Sequence, residues 1–112
     1  MQMSFEKEQD FIRVVLSGEI DMSVAEKLRK RIDEELDKAC VRNIVFDFAR
    51  VSFIDSSGLG VIVGRYRRLL PLGGFIAIFG ANERVYRILE LSGITKIIRV
   101  QKTERKRGLA NE

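Results

Sequence analysis

Apolar residues at 11–17 (Phe11-Ile12-Arg13-Val14-Val15-Leu16-Ser17) are dense and rich in β-branched types. They then give way to three- and four-residue steps at Ala25, Leu28, Ile32, Leu36 and Ala39. The first pattern predicts a β-strand and the second an amphipathic helix with one buried stripe. Lys27, Arg31, Glu34, Glu35 and Lys38 fall mostly on the helix's other side. Ahead of the strand, residues 3–7 predict a short edge strand, joined through a hairpin connection at Glu8-Gln9-Asp10. Gly18-Glu19-Ile20-Asp21 is expected to leave the sheet. Ser23-Val24-Ala25-Glu26 carries a capping-box pattern that starts the helix.

The alternation continues. Residues 42–49 predict a central strand, and Val51 to Ile54 lead into the turn Asp55-Ser56-Ser57-Gly58. From Ser57 a second helix is expected, with Leu59, Ile62, Val63, Tyr66 and Leu70 on one face and Pro71 and Gly73-Gly74 at its end. Gly58, Gly60 and Gly64 weaken helix propensity by up to about 1 kcal/mol each. Close approach to the sheet or to a partner is the expected compensation. Residues 74–79 predict a further strand. Asn82 then caps a helix through Leu91, with Val85, Ile88, Leu89 and Leu91 inward, and Ser92-Gly93 stops it. Residues 97–100 predict a last short strand, and Thr103 to Leu109 a ragged terminal helix. Such alternation predicts an α/β fold: a mixed, mostly parallel sheet of about five strands packed by about four helices.

Composition narrows the function. The chain has 112 residues, 46% hydrophobic and 32% charged, which fits one domain over residues 1–112. No apolar run approaches the roughly 20 residues of a membrane span, and the first residues lack the pattern of a signal peptide. Cys40 is the single cysteine, which excludes an intramolecular disulfide and fits a reducing cytoplasm. Histidine is absent, removing Ser-His and Cys-His catalysis and the commonest transition-metal ligand. No metal site and no cofactor is expected. The net charge of +4 draws on Arg65, Arg67 and Arg68 and on Arg99, Lys102, Arg105, Lys106 and Arg107. These read as a solvated helix face and a charged end, and no direct nucleic-acid binding is expected.

The serine turn holds the main candidate chemistry. A strand-to-helix turn leaves backbone N–H groups without partners, and such a turn suits an anion. A hydrolase elbow needs Gly-x-Ser-x-Gly, but Ile54 precedes Ser56 by two and Asp55 precedes Ser57 by two. An exposed aspartate titrates near about 4 and makes a poor base for serine. The phosphate-loop pattern is absent, and Gly58, Gly60 and Gly64 have the wrong spacing for a dinucleotide fingerprint. Capping by Asp55 or Ser56, worth about 1 kcal/mol, leaves the three glycines and the apolar Leu59 unexplained. Small residues around an accessible serine suit docking into another protein's active site.

Four segments carry a resemblance: Leu16-Ser17-Gly18-Glu19-Ile20-Asp21, Ile44-Val45-Phe46-Asp47-Phe48, the run from Ser52 to Tyr66, and Leu91-Ser92-Gly93-Ile94-Thr95-Lys96-Ile97-Ile98-Arg99. In this order they resemble the bacterial anti-sigma factor antagonists, the STAS domains, most strongly those of the sporulation, sigma F branch. The resemblance implies a single STAS domain that is a binding module and not an enzyme. It implies Ser56 as phosphoacceptor, because the family modifies the first serine after the aspartate. The implied partners are an anti-sigma factor serine kinase with bound nucleotide, a serine phosphatase and, indirectly, a sigma factor. The unmodified antagonist would bind the kinase and release the sigma factor, phosphorylation would abolish binding, and the phosphatase would restore it.

Asp21 matches the aspartate of the family's Gly-Glu-Leu-Asp segment. With Asp55, Ser57, Gly58 and Leu59 it is expected on the partner-facing surface. Its bland alternative is a helix-start residue. Relatives often carry His-His after that aspartate, where this chain has Met22-Ser23. Arg65 reads as a solvated charge. The alternatives are an antagonist in another partner-switching pathway, such as stress response, and an unphosphorylated scaffold STAS domain.

Overall fold

Strands β1 (Gln2–Lys7), β2 (Ile12–Ile20), β3 (Ile44–Ile54), β4 (Ile76–Ala81) and β5 (Arg99–Lys102) lie side by side in chain order. The structure is a computed structural model and describes residues 1–103. β1 runs antiparallel to β2, and the three following pairings are parallel. Parallel neighbours need a crossover, and here each crossover carries a helix: α1 (Met22–Ala39), α2 (Ser56–Leu69) and α3 (Glu83–Leu91). The fold is the α/β arrangement expected. Among the described residues it holds three α-helices and two 3-10 turns, Leu70–Leu72 and Ile94–Lys96. Apart from Thr103, the expected terminal helix lies outside the described residues.

The core lies between one sheet face and the helices. Ile12, Val14 and Leu16 of β2, Ile44, Phe46 and Phe48 of β3 and Ile76 and Ile78 of β4 are buried. They meet Leu28, Ile32 and Leu36 of α1, Val61, Ile62 and Leu69 of α2 and Val85 and Leu89 of α3. Each such side chain contributes about 1.5–3 kcal/mol by leaving water. Phe46 and Phe48 meet edge-to-face with ring centroids 5.9 Å apart.

Several expectations are corrected. Residues 18–20 do not leave the sheet. Gly18 takes φ +97°, a conformation open to glycine, and a register shift beside it lets β2 continue until Ile20 faces Ile54. Helix α1 starts at Met22 with Asp21 as its cap, not at a Ser23 capping box. The buried stripe of α2 is turned by one position: Gly58, Val61, Ile62 and Leu69 are buried, whereas Leu70 is 54% exposed. The cause is Gly58, which lies against the sheet and sets the helix rotation. Leu91, expected inward, is 76% exposed, because Val85 and Leu89 already fill the space under a short helix. The last strand starts at Arg99, two residues later than expected, because Ile94–Lys96 forms a 3-10 turn that buries Ile94 and Ile98.

Candidate functional site

The register Ile20↔Ile54 brings two strand ends level at the C-terminal edge of the sheet. Each strand turns into a helix after one aspartate. Asp21 and Asp55 both have extended backbone, with φ of −119° and −109°, and both act as N-caps. The two turns are tied directly, since the Asp55 amide donates to the Ile20 carbonyl at 3.2 Å. Sequence reasoning named Asp21, Asp55, Ser56, Ser57, Gly58 and Leu59 separately, and the structure gathers them at one edge.

At α2, Asp55 Oδ1 accepts from the Ser57 amide at 2.9 Å and the Gly58 amide at 3.1 Å. Two of the free N–H groups that made this turn attractive to an anion are therefore occupied by the chain's own carboxylate. Ser56 is the first helical residue. It is exposed, and among the described residues its hydroxyl makes no hydrogen bond. Ser57 is half-buried. Gly58 is buried: a Cβ there would meet Ile54 Cγ1 at 2.7 Å, Ile20 Cγ2 at 2.8 Å and the Ile20 carbonyl oxygen at 2.9 Å. Gly58 thus seats the helix, with the place of a side chain taken by Ile54 and Ile20. Gly60 and Gly64 face open space instead. Leu59 is half-buried and packs on the rim of the core.

At α1, Asp21 Oδ1 accepts from the Ser23 amide at 3.0 Å and from the Ser23 hydroxyl at 2.6 Å. That hydroxyl, together with the amide, holds the Asp21 carboxyl below its ordinary value. The bland alternative for Asp21, a helix-start residue, is what the geometry shows, and among the described residues its second carboxylate oxygen makes no hydrogen bond.

Three other features were passed over or misread in the sequence. Met22 is 76% exposed beside Asp21, an apolar side chain displayed where the chain turns. The Arg84 guanidinium lies over the Phe53 ring at 5.3 Å, placing a cation near the end of β3. Arg65 is not solvated: its side chain is 12% exposed and faces Asp33. The signal for Arg65 was available, because position 65 falls on the stripe made by Gly58, Val61, Ile62 and Leu69. Among the described residues, no helix is long and apolar enough to cross a membrane. A cleft of about 680 Å³, lined by residues including Phe11, Val45, Phe75 and Phe79, contains none of the candidate residues.

Comparison with known proteins places the described chain in one family. The family model of the STAS domain matches residues 2–107. A Paenibacillus polymyxa protein named anti-sigma F factor antagonist is 36% identical over 104 residues, 93% of this chain and 89% of that one. A Listeria monocytogenes anti-sigma-B factor antagonist is 32% identical over 100 residues, 88% of this chain and 86% of its own. Among solved structures, the anti-sigma factor antagonist SpoIIAA in its unphosphorylated form superposes with a TM-score of 0.78 at 27% identity, covering 88% of this chain and 87% of that chain. The Bacillus SpoIIAA in its phosphorylated form gives 0.70 at 26% identity, covering 88% and 90%.

Proposed function

Because the chain belongs to the STAS-domain family, we propose that it is a single-domain anti-sigma factor antagonist switched by phosphorylation of Ser56. In this reading it is a regulatory binding protein and not an enzyme. The unmodified form binds an anti-sigma factor kinase with its nucleotide and frees a sigma factor of the sigma F type. The modified form does not bind, and a serine phosphatase reverses the change. Asp21, Met22, Ser56 and Leu59 form the docking edge, with Asp55 and Gly58 fixing its shape and Ser57 behind it.

The observation that carries this reading is the free, exposed Ser56 hydroxyl on a helix end already capped by Asp55. A phosphoryl group there adds roughly −1.5 to −2 charges. The Ser57 and Gly58 amides are already bonded to Asp55, so they do not draw the phosphate in, and it projects outward next to one carboxylate, on the same edge as a second at Asp21. The fold has no need to change, since the added group sits in solvent. Charge and bulk alone oppose an acidic nucleotide or an apolar pocket on the partner. A stress-response pathway is the second reading, favoured by the 32% identity to the anti-sigma-B factor antagonist.

Phosphopeptide mass spectrometry after incubation with the Paenibacillus polymyxa anti-sigma F factor and ATP tests the assignment. Modification at Ser56 is expected. Modification confined to Ser57, or none, contradicts it.

A further inference from the structure

We propose that Arg65 is a positioning residue, whose contact with Asp33 sets α2 against α1 and so fixes how the Asp21 and Ser56 ends are presented to the regulator. This rests on the antagonist reading above.

A cation is unexpected at position 65, on a stripe that otherwise faces the core. The Arg65 side chain is 12% exposed, and its Nε lies 3.2 Å from Asp33 Oδ1 on α1. That is ion-pair distance without the alignment of a hydrogen bond: among the described residues, Nε and Nη1 have no hydrogen-bond partner. Burial pushes the Arg65 guanidinium below its usual range, with Asp33 opposing the shift, and it stays a cation. The same carboxylate takes Arg68 Nη1 at 2.9 Å and Arg29 Nη1 at 3.4 Å, while Arg68 Nη2 reaches Asp37 Oδ1 at 2.6 Å. Two guanidinium groups of α2 therefore converge on two carboxylates of α1.

Buried ion pairs are poor sources of stability, because losing water offsets most of the attraction. Apolar side chains of similar volume would hold the two helices together equally well, but they would tolerate sliding. A charge facing one carboxylate specifies a single register. Near the other end of α2, Gly58 rests on Ile20, about 10 Å along the axis from position 65 at 1.5 Å per residue. Two contacts that far apart fix the direction of the helix that begins with Ser56. Asp21 begins the helix on which Asp33 sits. A regulator touching both ends reads their separation.

The experiment titrates wild type, Arg65→Met and Arg65→Lys with the Paenibacillus polymyxa anti-sigma F factor and ADP, and records thermal midpoints. Arg65→Met is expected to keep its midpoint within about 2 °C. It is expected to bind about tenfold more weakly, a loss typical of coupled neighbours. Arg65→Lys, which keeps a cation facing Asp33, is expected to recover part of the affinity. Equal affinity of Arg65→Met and wild type overturns the proposal. If Arg65→Met does not fold, Asp33→Asn is measured the same way, and unchanged affinity there is equally fatal. If wild type itself does not bind, the antagonist reading fails and the proposal with it.

Discussion

The starts of α1 and α2 are built alike but differ in their first and third residues and in what the hydroxyl of the second does. Both follow a parallel strand, both are capped by an extended aspartate, and both caps accept from the amide two residues on. The first helical residue is Met22 in α1 and Ser56 in α2, and both are exposed. The second is serine in each, but the Ser23 hydroxyl is bonded into its own cap. The third is Val24 in α1 and the buried Gly58 in α2. The shared cap fixes the backbone, and in both helices the first position displays its side chain. In α2 that position carries a free hydroxyl, on a helix seated directly against Ile20.

The comparison is broken most severely by moving the hydroxyl. Ser56→Ala is expected to reduce phosphate incorporation by the kinase to background, and adding Met22→Ser is expected not to restore it. Restoration, read by radiolabelled phosphate transfer, would mean that any capped helix start suffices.

Gly58→Ala tests the seat of α2. The added methyl group meets three atoms at under 3.0 Å. Overpacking of this kind costs about 1–3 kcal/mol, partly offset by the up to about 1 kcal/mol that alanine gains as a helix former. Urea unfolding should show a clear loss of stability. Val24→Ala, at the matching half-buried place in α1, should cost less.

The caps themselves give the smallest effects. Asp21→Ala and Asp55→Ala should each destabilise by about 1 kcal/mol. The larger loss is expected at Asp55, whose carboxylate satisfies two amides where Asp21 satisfies one. Equal midpoints in thermal unfolding would show that the second amide contributes nothing.

Much of this was legible in the sequence. The helical spacing of Leu28, Ile32 and Leu36 and the apolar run from Ile44 to Phe48 located a helix and a central strand, because burial imposes its period on the residues. Asn82 was readable as a cap, and it accepts from the Val85 amide at 2.8 Å. Strand ends were less legible, since Gly18 looks like a break where it serves as a bulge that keeps β2 in the sheet. The rotation of α2 was misread because Leu59 and Leu70 were weighed by hydrophobicity, whereas Gly58 sets the helix by close approach. The packing role of Gly58 was not readable, since a glycine in a sequence does not say which side its missing side chain faces. Asp21, Asp55 and Ser56 were found individually, but their meeting depends on the register of β2 against β3, which no local pattern encodes. Arg65 was hidden by its neighbours Arg67 and Arg68, both exposed, which made one solvated cluster of three unlike residues.

The central claim is that one added anionic group at Ser56 decides whether the docking edge is gripped. Its most direct test is isothermal titration of the stoichiometrically phosphorylated and unmodified proteins with the Paenibacillus polymyxa anti-sigma F factor in the presence of ADP. Misplaced charge at an interface costs several kcal/mol, so the phosphorylated form should bind at least about 100-fold more weakly. Equal affinity of the two forms would contradict the account.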